Sequence, residues 1–137
     1  MVDVNPYLNF NGTCREALEM YARVLGGEII ALHEFGDMVT EMGLSDAHRP
    51  WIMHGQLRIG DKVIMASDAP FTYAPVAGMS VQIGLDDLAE GKRVFEAMAE
   101  GGVVKMPFEP TFWAEGFGMV VDRFGTPWMI NVETKAG

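Results

Sequence analysis

The predicted elements of this chain follow the same order twice. In each half a strand leads into an amphipathic helix, the helix stops at two consecutive glycines, and three more strands follow. The helix ends show the repeat best, because ALEMYARVLGGEII (Ala17–Ile30) and KRVFEAMAEGGVV (Lys92–Val104) both pass from an apolar helical face through Gly-Gly into an apolar strand. Neither half can bury its own helix and both faces of its sheet, so the two halves must pair, within one chain or between chains.

The first half, residues 1–68, is predicted to form one βαβββ module. Alternating and β-branched patterns place its strands at Val2–Phe10, Glu28–Phe35, Trp51–Ile59 and Lys62–Ser67. Thr13 and Glu16 have the spacing of a capping box for a helix that runs to about Leu25. Gly36–Pro50 is predicted to be a mobile loop with a helical turn near Val39–Gly43.

The second module, residues 78–137, follows a linker at residues 69–77 that is rich in Pro and Ala. Asp87 is predicted to cap its helix, whose buried stripe is expected to be Leu88, Gly91, Phe95 and Met98. Its strands are predicted at Met79–Leu85, Val103–Met106, Gly118–Asp122 and Trp128–Val132, with a loop at Pro107–Glu115. The last strand is almost entirely apolar, which predicts a strand covered on both faces.

Composition and charge restrict the class of protein. The chain has 137 residues, a net charge of −9 and no cluster of Lys or Arg, so nucleic acid and anionic membrane surfaces are not expected partners. No apolar run approaches the roughly 18 residues of a membrane span. Cys14 is the single cysteine and the N-terminus lacks a secretory signal pattern, so a cytoplasmic location is expected. The sequence thus predicts a soluble α+β protein.

Three segments together resemble a known family. They are PYLNFNGTCREALEMYARVLGGEI, MHGQLRIGDKVIMASD and MPFEPTFWAEGFGMVVDRFGTPWMINV, and they cover nearly the whole chain. This sequence resembles the PhnB-like branch of the vicinal oxygen chelate superfamily, relatives of glyoxalase I and bleomycin-resistance proteins. The resemblance implies two tandem βαβββ modules with cup-shaped mixed sheets, assembly as a homodimer, and in most members one divalent metal in the cup.

The positions that would hold this metal carry unsuitable residues. Matched to the glyoxalase-like pattern, they fall on Pro6, Ser80, Met129 and either Ile64 or Met65. Proline and isoleucine cannot bind a metal, and methionine sulfur suits soft ions only. We therefore expect no metal cofactor at the usual site, and a divalent ion would need other ligands.

Period-two alternation identifies candidate ligand-binding residues. It places Ile52, His54, Gln56 and Arg58 on one face of their strand, with the opposite face under the helix. Ser80 and Gln82 share a face by the same rule, and the five polar residues are predicted to line the cup. His54 could act as acid or base, and Arg58 could hold an anion. Structural hydrogen bonds or ion pairs are the alternative for both.

Other polar residues are candidates for relocated metal ligands. None has a recognised ligand spacing, and solvated positions are expected for His33, Glu34, His48, Asp68, Glu109 and Glu115. The one combination that merits a test is His54 with a carboxylate from the Pro107–Glu115 loop. Cys14 is interpreted as a bystander.

Aromatic residues supply the remaining candidates. Phe112 and Trp113 lie in a loop bounded by Pro and Gly, which favours a pocket or interface position, whereas Trp51 and Trp128 are predicted to lie in the core. The leading hypothesis is a protein that binds a small organic ligand without the usual metal. The alternatives are a metal-dependent lyase, isomerase or dioxygenase with relocated ligands, His54 among them, and a scaffold whose dimer interface is its purpose.

Overall fold

The computed structural model describes residues 2–134 and contains two compact units, Met1–Ala74 and Pro75–Gly137. The elements of the first unit are β1 (Tyr7–Phe10), α1 (Cys14–Leu25), β2 (Glu28–Glu34), α2 (Met38–Glu41), a 3-10 turn (Asp46–His48), β3 (Ile52–Ile59) and β4 (Lys62–Asp68). The elements of the second unit are β5 (Val81–Leu85), α3 (Leu88–Ala99), β6 (Val103–Glu109), β7 (Ala114–Val121) and β8 (Pro127–Glu133). Within residues 2–134, no helix is long and apolar enough to cross a bilayer.

Both units contain the same four-stranded mixed sheet. The strand order is β1-β4-β3-β2 in the first and β5-β8-β7-β6 in the second. The outer β1 and β5 run parallel to β4 and β8, and the other pairs are antiparallel. The predicted repeat is confirmed, since each unit contains a βαβββ module and the chain is an α+β protein.

Each helix covers one face of its own sheet. The stripe of α1 packs over β3, where Gly55 leaves room for Leu18, since a Cβ at Gly55 would lie 2.8 Å from Leu18 Cδ1. In α3, Gly91, Phe95 and Met98 are buried as predicted. The prediction for Leu88 was wrong, because this first-turn residue is 47% exposed at the rim of a cleft beside α3.

The start of α1 is capped from a distant part of the chain. Thr13 occupies the N-cap position but makes no side-chain cap hydrogen bond, so the predicted capping box was wrong. Instead, Asp68 Oδ1 accepts hydrogen bonds from the backbone N–H groups of Gly12 and Cys14, at 2.8 and 3.0 Å. Asp68 is 3% exposed, which also corrects its predicted solvated position. The cap of α3 is confirmed, with Glu90 N–H donating to Asp87 Oδ2 at 2.9 Å.

Several strand bounds differ from the sequence interpretation. The first strand begins only at Tyr7. The predicted Pro107–Glu115 loop is largely strand, since β6 continues to Glu109 and β7 begins at Ala114. Pro107 fits because β6 is an edge strand, where its missing N–H removes no ladder hydrogen bond.

Strand β8 is covered on one face only. Trp128, Ile130 and Val132 are fully buried, whereas the residues between them, Met129 and Asn131, are half-buried. The strand lies inside the sheet as predicted, between β5 and β7, and within its own unit only the helix side is fully buried. The reason is that α3 packs against one side of the sheet only. Pro127 and Met129 project from the other side, so they make the strand sequence apolar although they are only half-buried.

Candidate ligand-binding faces of the two sheets

We call the side of each sheet that faces away from its own helix the open face. In the first unit, the strand register aligns Tyr7 of β1 with Met65 of β4, and Met65 with Gln56 of β3. His54 pairs across the sheet with His33 of β2. Directly paired residues project from the same face of a sheet. The open face of the first unit therefore carries a mostly polar surface, in which predicted site residues are neighbours.

His54 is held by hydrogen bonds at both ring nitrogens. Nδ1 lies 3.1 Å from the Tyr7 hydroxyl oxygen, and Nε2 lies 3.0 Å from the side-chain nitrogen of Gln56. Because an amide nitrogen only donates, Nε2 accepts, and Nδ1 carries the proton and donates to Tyr7. The structure thus brings together His54 and Gln56 and adds Tyr7, with the imidazole orientation fixed from two strands.

Arg58 is paired with an acidic residue on the neighbouring strand. Its guanidinium lies 2.7 Å from the carboxylate of Glu28, its cross-strand partner. Both side chains are more than half exposed, at 51% and 68%, so this ion pair contributes little to stability. An anionic ligand would have to compete with Glu28 for Arg58.

A β-bulge changes one predicted face. Glu34 aligns with Ile52, whereas His33 aligns with His54, so Met53 is an extra residue in β3. The bulge turns Ile52 to the helix side, where it is fully buried. The prediction that Ile52 shares the polar face of His54 was therefore wrong.

The open face of the second unit is rich in methionine. Its register aligns Gln82 with Met129, Met129 with Met119, and Met119 with Met106 across all four strands. Ser80 precedes β5 and is half-buried. Predicted site residue Gln82 thus lies at one end of a row of thioethers.

An aromatic cluster lies beside this row of methionines. Phe112 is 96% exposed and Trp113 is 46% exposed. The Trp113 ring contacts Phe112 and Phe117 edge to face, with centroids 4.9 and 5.4 Å apart. Phe117 is aligned with Asn131 of β8. Two predicted site residues therefore join Phe117 in a partly exposed aromatic cluster next to one carboxamide.

The other two tryptophans are more deeply placed. Trp128 is fully buried, and its indole N–H donates to Asp122 Oδ2 at 2.8 Å. Trp51 is half-buried and packs against Gly12 and edge-on to His48, with ring centroids 4.6 Å apart. Trp128 therefore lies in the core of the second unit, as predicted. Trp51 is packed within the first unit but is only half-buried.

The residues at the family's metal positions do not fit a divalent ion. The Pro6 carbonyl oxygen accepts a hydrogen bond from the N–H of Met65, and Met65 and Met129 offer only thioethers. Within residues 2–134, no group of three or more His, Cys, Asp or Glu side chains is placed to hold a metal. No chemical step through a metal is derived for this chain.

Cys14 is chemically protected. The side chain is fully buried at the start of α1. Burial, with a smaller contribution from the negative charge of Asp68, raises the pKa of the thiol from its ordinary value of 9.0 to about 12. Since the thiolate is the reactive form, Cys14 is unsuited to act as a nucleophile.

Sequence reasoning missed two residues of the open faces, Tyr7 and Asn131. The signal for Tyr7 was the alternation of exposed and buried positions in β1, where Leu8 and Phe10 are buried. The signal for Asn131 was its place as the one polar residue of Trp128–Val132. The open-face position of each residue could have been predicted by applying period-two alternation to the first and last strands of a module as well.

Two solved structures establish the fold class. A protein from Pseudomonas aeruginosa, PA1353, is 44% identical, with a TM-score of 0.87 over 97% of this chain and 98% of that one. A fosfomycin resistance protein, FosX, from Mesorhizobium loti is 11% identical, with a TM-score of 0.63 over 98% and 95%, which shows a shared fold alone. These likenesses confirm the expected α+β fold of two βαβββ modules, of the glyoxalase and bleomycin-resistance type.

Sequence comparisons then identify the family. The family model described as 3-demethylubiquinone-9 3-methyltransferase matches residues 2–131. Protein YjdN of Escherichia coli (strain K12) is 39% identical, with 94% of each chain covered. A Bacillus cereus protein titled putative 3-demethylubiquinone-9 3-methyltransferase, PhnB protein, has the same fold, with 20% identity and a TM-score of 0.80 over 96% of this chain and 99% of that one. The chain belongs to this PhnB-like family, which confirms the resemblance.

Proposed function

We propose that this protein binds a small organic molecule at the open faces of its sheets, without the metal that is usual in the superfamily. The observation that carries the proposal is the aromatic cluster of Phe112, Trp113 and Phe117 beside Asn131. Exposed aromatic rings next to a few oriented polar groups are typical of small-molecule sites. Such a surface suits a planar ligand that stacks on Trp113 and hydrogen-bonds to a carboxamide.

The hydrogen-bonded group on the first sheet supports the same proposal. Tyr7 and Gln56 hold His54 in one orientation on a face that its own helix does not cover. Both ring nitrogens are already hydrogen-bonded, so a ligand on this face meets an ordered imidazole and can hydrogen-bond to the Tyr7 hydroxyl or the Gln56 carboxamide without an entropy cost for ordering the ring. We assign His54, Gln56 and Arg58 to ligand contact on this sheet, and Ser80 and Gln82 to contact on the other.

A ligand screen with matched variants tests the proposal. Planar aromatic acids and amides are screened by tryptophan emission and by thermal shift. For any hit, Trp113→Ala should weaken binding about tenfold, because a lost stacking contact is worth roughly 1 kcal/mol or more. Phe71→Ala is the control, since Phe71 is also an exposed aromatic residue, at 64%. A hit whose affinity is unchanged by Trp113→Ala would contradict the assigned face.

The competing function is a metal-dependent lyase, isomerase or dioxygenase that uses His54 with non-standard ligands. Elemental analysis of untagged protein, after incubation with Mn, Fe, Ni and Zn salts and desalting, separates the two. We expect no ion above background. About one ion per chain that is lost in His54→Ala, but kept in His48→Ala, would overturn the metal-free proposal. His48 is a suitable control because it lies in the 3-10 turn and packs on Trp51.

The name of the family model does not extend the proposal to methyl transfer. The sequence contains no glycine-rich loop of the Rossmann kind, which methyl donors commonly use. Binding is therefore the function that we propose, and catalysis by His54 is its alternative.

We further propose that the protein is a homodimer in the cytoplasm. The edge strand β6 exposes apolar side chains, with Val103 at 56% and Met106 at 43%. Exposed apolar side chains on an edge strand favour a protein contact. Light scattering coupled to size-exclusion chromatography measures the mass directly, and a single species at the 15.1 kDa of one chain would contradict the homodimer.

A further inference from the structure

The second unit contains a cleft whose lining includes none of the residues assigned above to ligand contact. Its volume is about 470 Å³, within the range of roughly 300–1,000 Å³ that holds small ligands. The wall on one side is α3, with Leu88 and Phe95, and the wall on the other side is β6, with Val104 and Phe108. Val104 aligns with Val120, which is buried on the helix side of the sheet. The cleft therefore lies between the helix and the edge of the sheet.

Glycine keeps this cleft open. The Phe108 ring stacks on Phe95 with centroids 5.5 Å apart, and it lies against Gly116. A Cβ at Gly116 would lie 2.8 Å from Phe108 Cε1, so any side chain there would push the ring outwards. Because Gly91 and Gly116 have no side chains, the Phe108 ring can pack directly against their backbone. The ring then forms the floor of the cleft and does not fill it.

The rim of the cleft is negatively charged. Glu96, Glu109 and Glu115 line it together with a single cation, Lys92. Among the ion pairs of residues 2–134, none involves these four side chains. The rim thus has three carboxylates against one ammonium, and its carboxylates are not neutralised by neighbours. An apolar floor below a net negative rim selects for charge as well as for size.

We propose that this cleft binds a hydrophobic organic cation, meaning an ammonium group attached to an aromatic or alkyl body. The body would contact Phe95, Phe108 and Val104, and the ammonium would lie among the rim carboxylates. An anion of the same shape would meet the same apolar floor but an opposing charge. Charge sign is therefore the property that distinguishes a ligand of this cleft from a general apolar solute.

The test compares two probes of similar shape, 4-phenylbutylammonium and 4-phenylbutyrate, which are both ionised at pH 7. Binding to the full chain is followed by amide chemical shifts. The cation should shift the amides of Leu88, Val104 and Gly116, and it should bind about tenfold more tightly than the anion at low salt. Equal affinity of the two probes, or shifts confined to Met129 and Asn131 of the open face, would overturn the proposal.

Two pairs of variants assign the binding to this cleft. Val104→Trp fills the cleft and should weaken the cation about tenfold, whereas Met79→Trp, at an exposed residue of the same unit that does not line the cleft, should change its affinity less than twofold. Glu96→Gln with Glu109→Gln should weaken the cation about fivefold. Glu100→Gln with Glu133→Gln removes the same charge from exposed residues outside the cleft and should have no such effect.

The outcomes decide the proposal separately from the open-face function. Trp113→Ala should leave the affinity for 4-phenylbutylammonium unchanged, because Trp113 does not line the cleft. If the two charge variants weaken the cation equally, the attraction comes from net charge and the cleft is not a site. If Val104→Trp binds as well as wild type, the cation binds elsewhere.

Discussion

Replacing Asp68 is the most severe test of how the first unit is held together. Its two carboxylate oxygens accept three backbone hydrogen bonds, since Oδ1 binds the N–H groups of Gly12 and Cys14 and Oδ2 binds the N–H of Ile52 at 2.8 Å. The residue also ends β4, where it aligns with Phe10 of the parallel β1. One buried side chain therefore ties the start of a helix, the start of β3 and the end of β4.

The size of the effect follows from which N–H groups can reach water. Gly12 is exposed, so its N–H can bind solvent when the carboxylate is removed. Cys14 and Ile52 are fully buried, and their N–H groups would lose their partner. Each buried donor without a partner costs about 1.5–3 kcal/mol when the lost acceptor was charged, so Asp68→Ala should destabilise the protein by about 3–6 kcal/mol. Asp68→Asn keeps one oxygen and should cost about 2–3 kcal/mol.

Urea unfolding measured by circular dichroism gives both free energies. Asp86→Asn is the control, because Asp86 is exposed just before α3, and it should change the free energy of unfolding by less than about 0.5 kcal/mol. Hydrogen exchange adds a local measurement, since the amides of Cys14 and Ile52 should lose protection in Asp68→Asn before the rest of the sheet. A loss below about 1 kcal/mol in Asp68→Ala would refute the reasoning, because it would mean that water or another acceptor replaces the carboxylate.

Three further predictions concern single side chains. The raised pKa of Cys14, about 12 against an ordinary 9.0, predicts that native protein reacts with iodoacetamide at pH 8 only as fast as it unfolds. Since the unfolded thiol loses its proton near pH 9.0 and the folded thiol keeps it to about pH 12, the free energy of unfolding should fall between these values, by up to about 1.4 kcal/mol per pH unit, and Cys14→Ala should remove that slope. Gly91→Ala should destabilise by about 1–2 kcal/mol in urea unfolding despite its better helix propensity, because the added Cβ collides with Val132, whereas Gly84→Ala, where the nearest atom is 3.4 Å away, should change stability by less than about 0.5 kcal/mol.

The elements that could be predicted are those with local signals. The helix stripes and the double glycines specify α1 and α3 within a few residues, because burial of an amphipathic face depends on spacing along one helix. The Gly60-Asp61 turn likewise separates β3 from β4 as predicted. Repetition of these signals was enough to predict the module order, and the family came from the resemblance of three longer segments.

Two of the errors involve partners that are distant in sequence. Thr13 has a capping-box pattern, but the acceptor that caps α1 comes from Asp68, which no local rule can identify. The bulge at Met53 depends on how β3 aligns with β2, and it moved Ile52 to the other face. A period-two rule applied to one strand assumes a regular ladder, so a single extra residue reverses every assignment beyond it.

The division of each sheet into a helix side and an open face separates stability from binding. The helix side of each sheet carries fully buried residues such as Leu57 and Trp128, and a buried carboxylate in each unit accepts several N–H groups, from Gly12, Cys14 and Ile52 at Asp68 and from Phe124 and Thr126 at Asp122. On the open face, His54 and Trp113 make contacts that can be removed without leaving a buried donor. Changes at Asp68 should therefore lower stability, whereas changes at Trp113 should lower affinity at nearly constant stability. A Trp113→Ala protein that unfolds as easily as Asp68→Ala would show that the aromatic cluster belongs to the core, and the proposed ligand face would have to be abandoned.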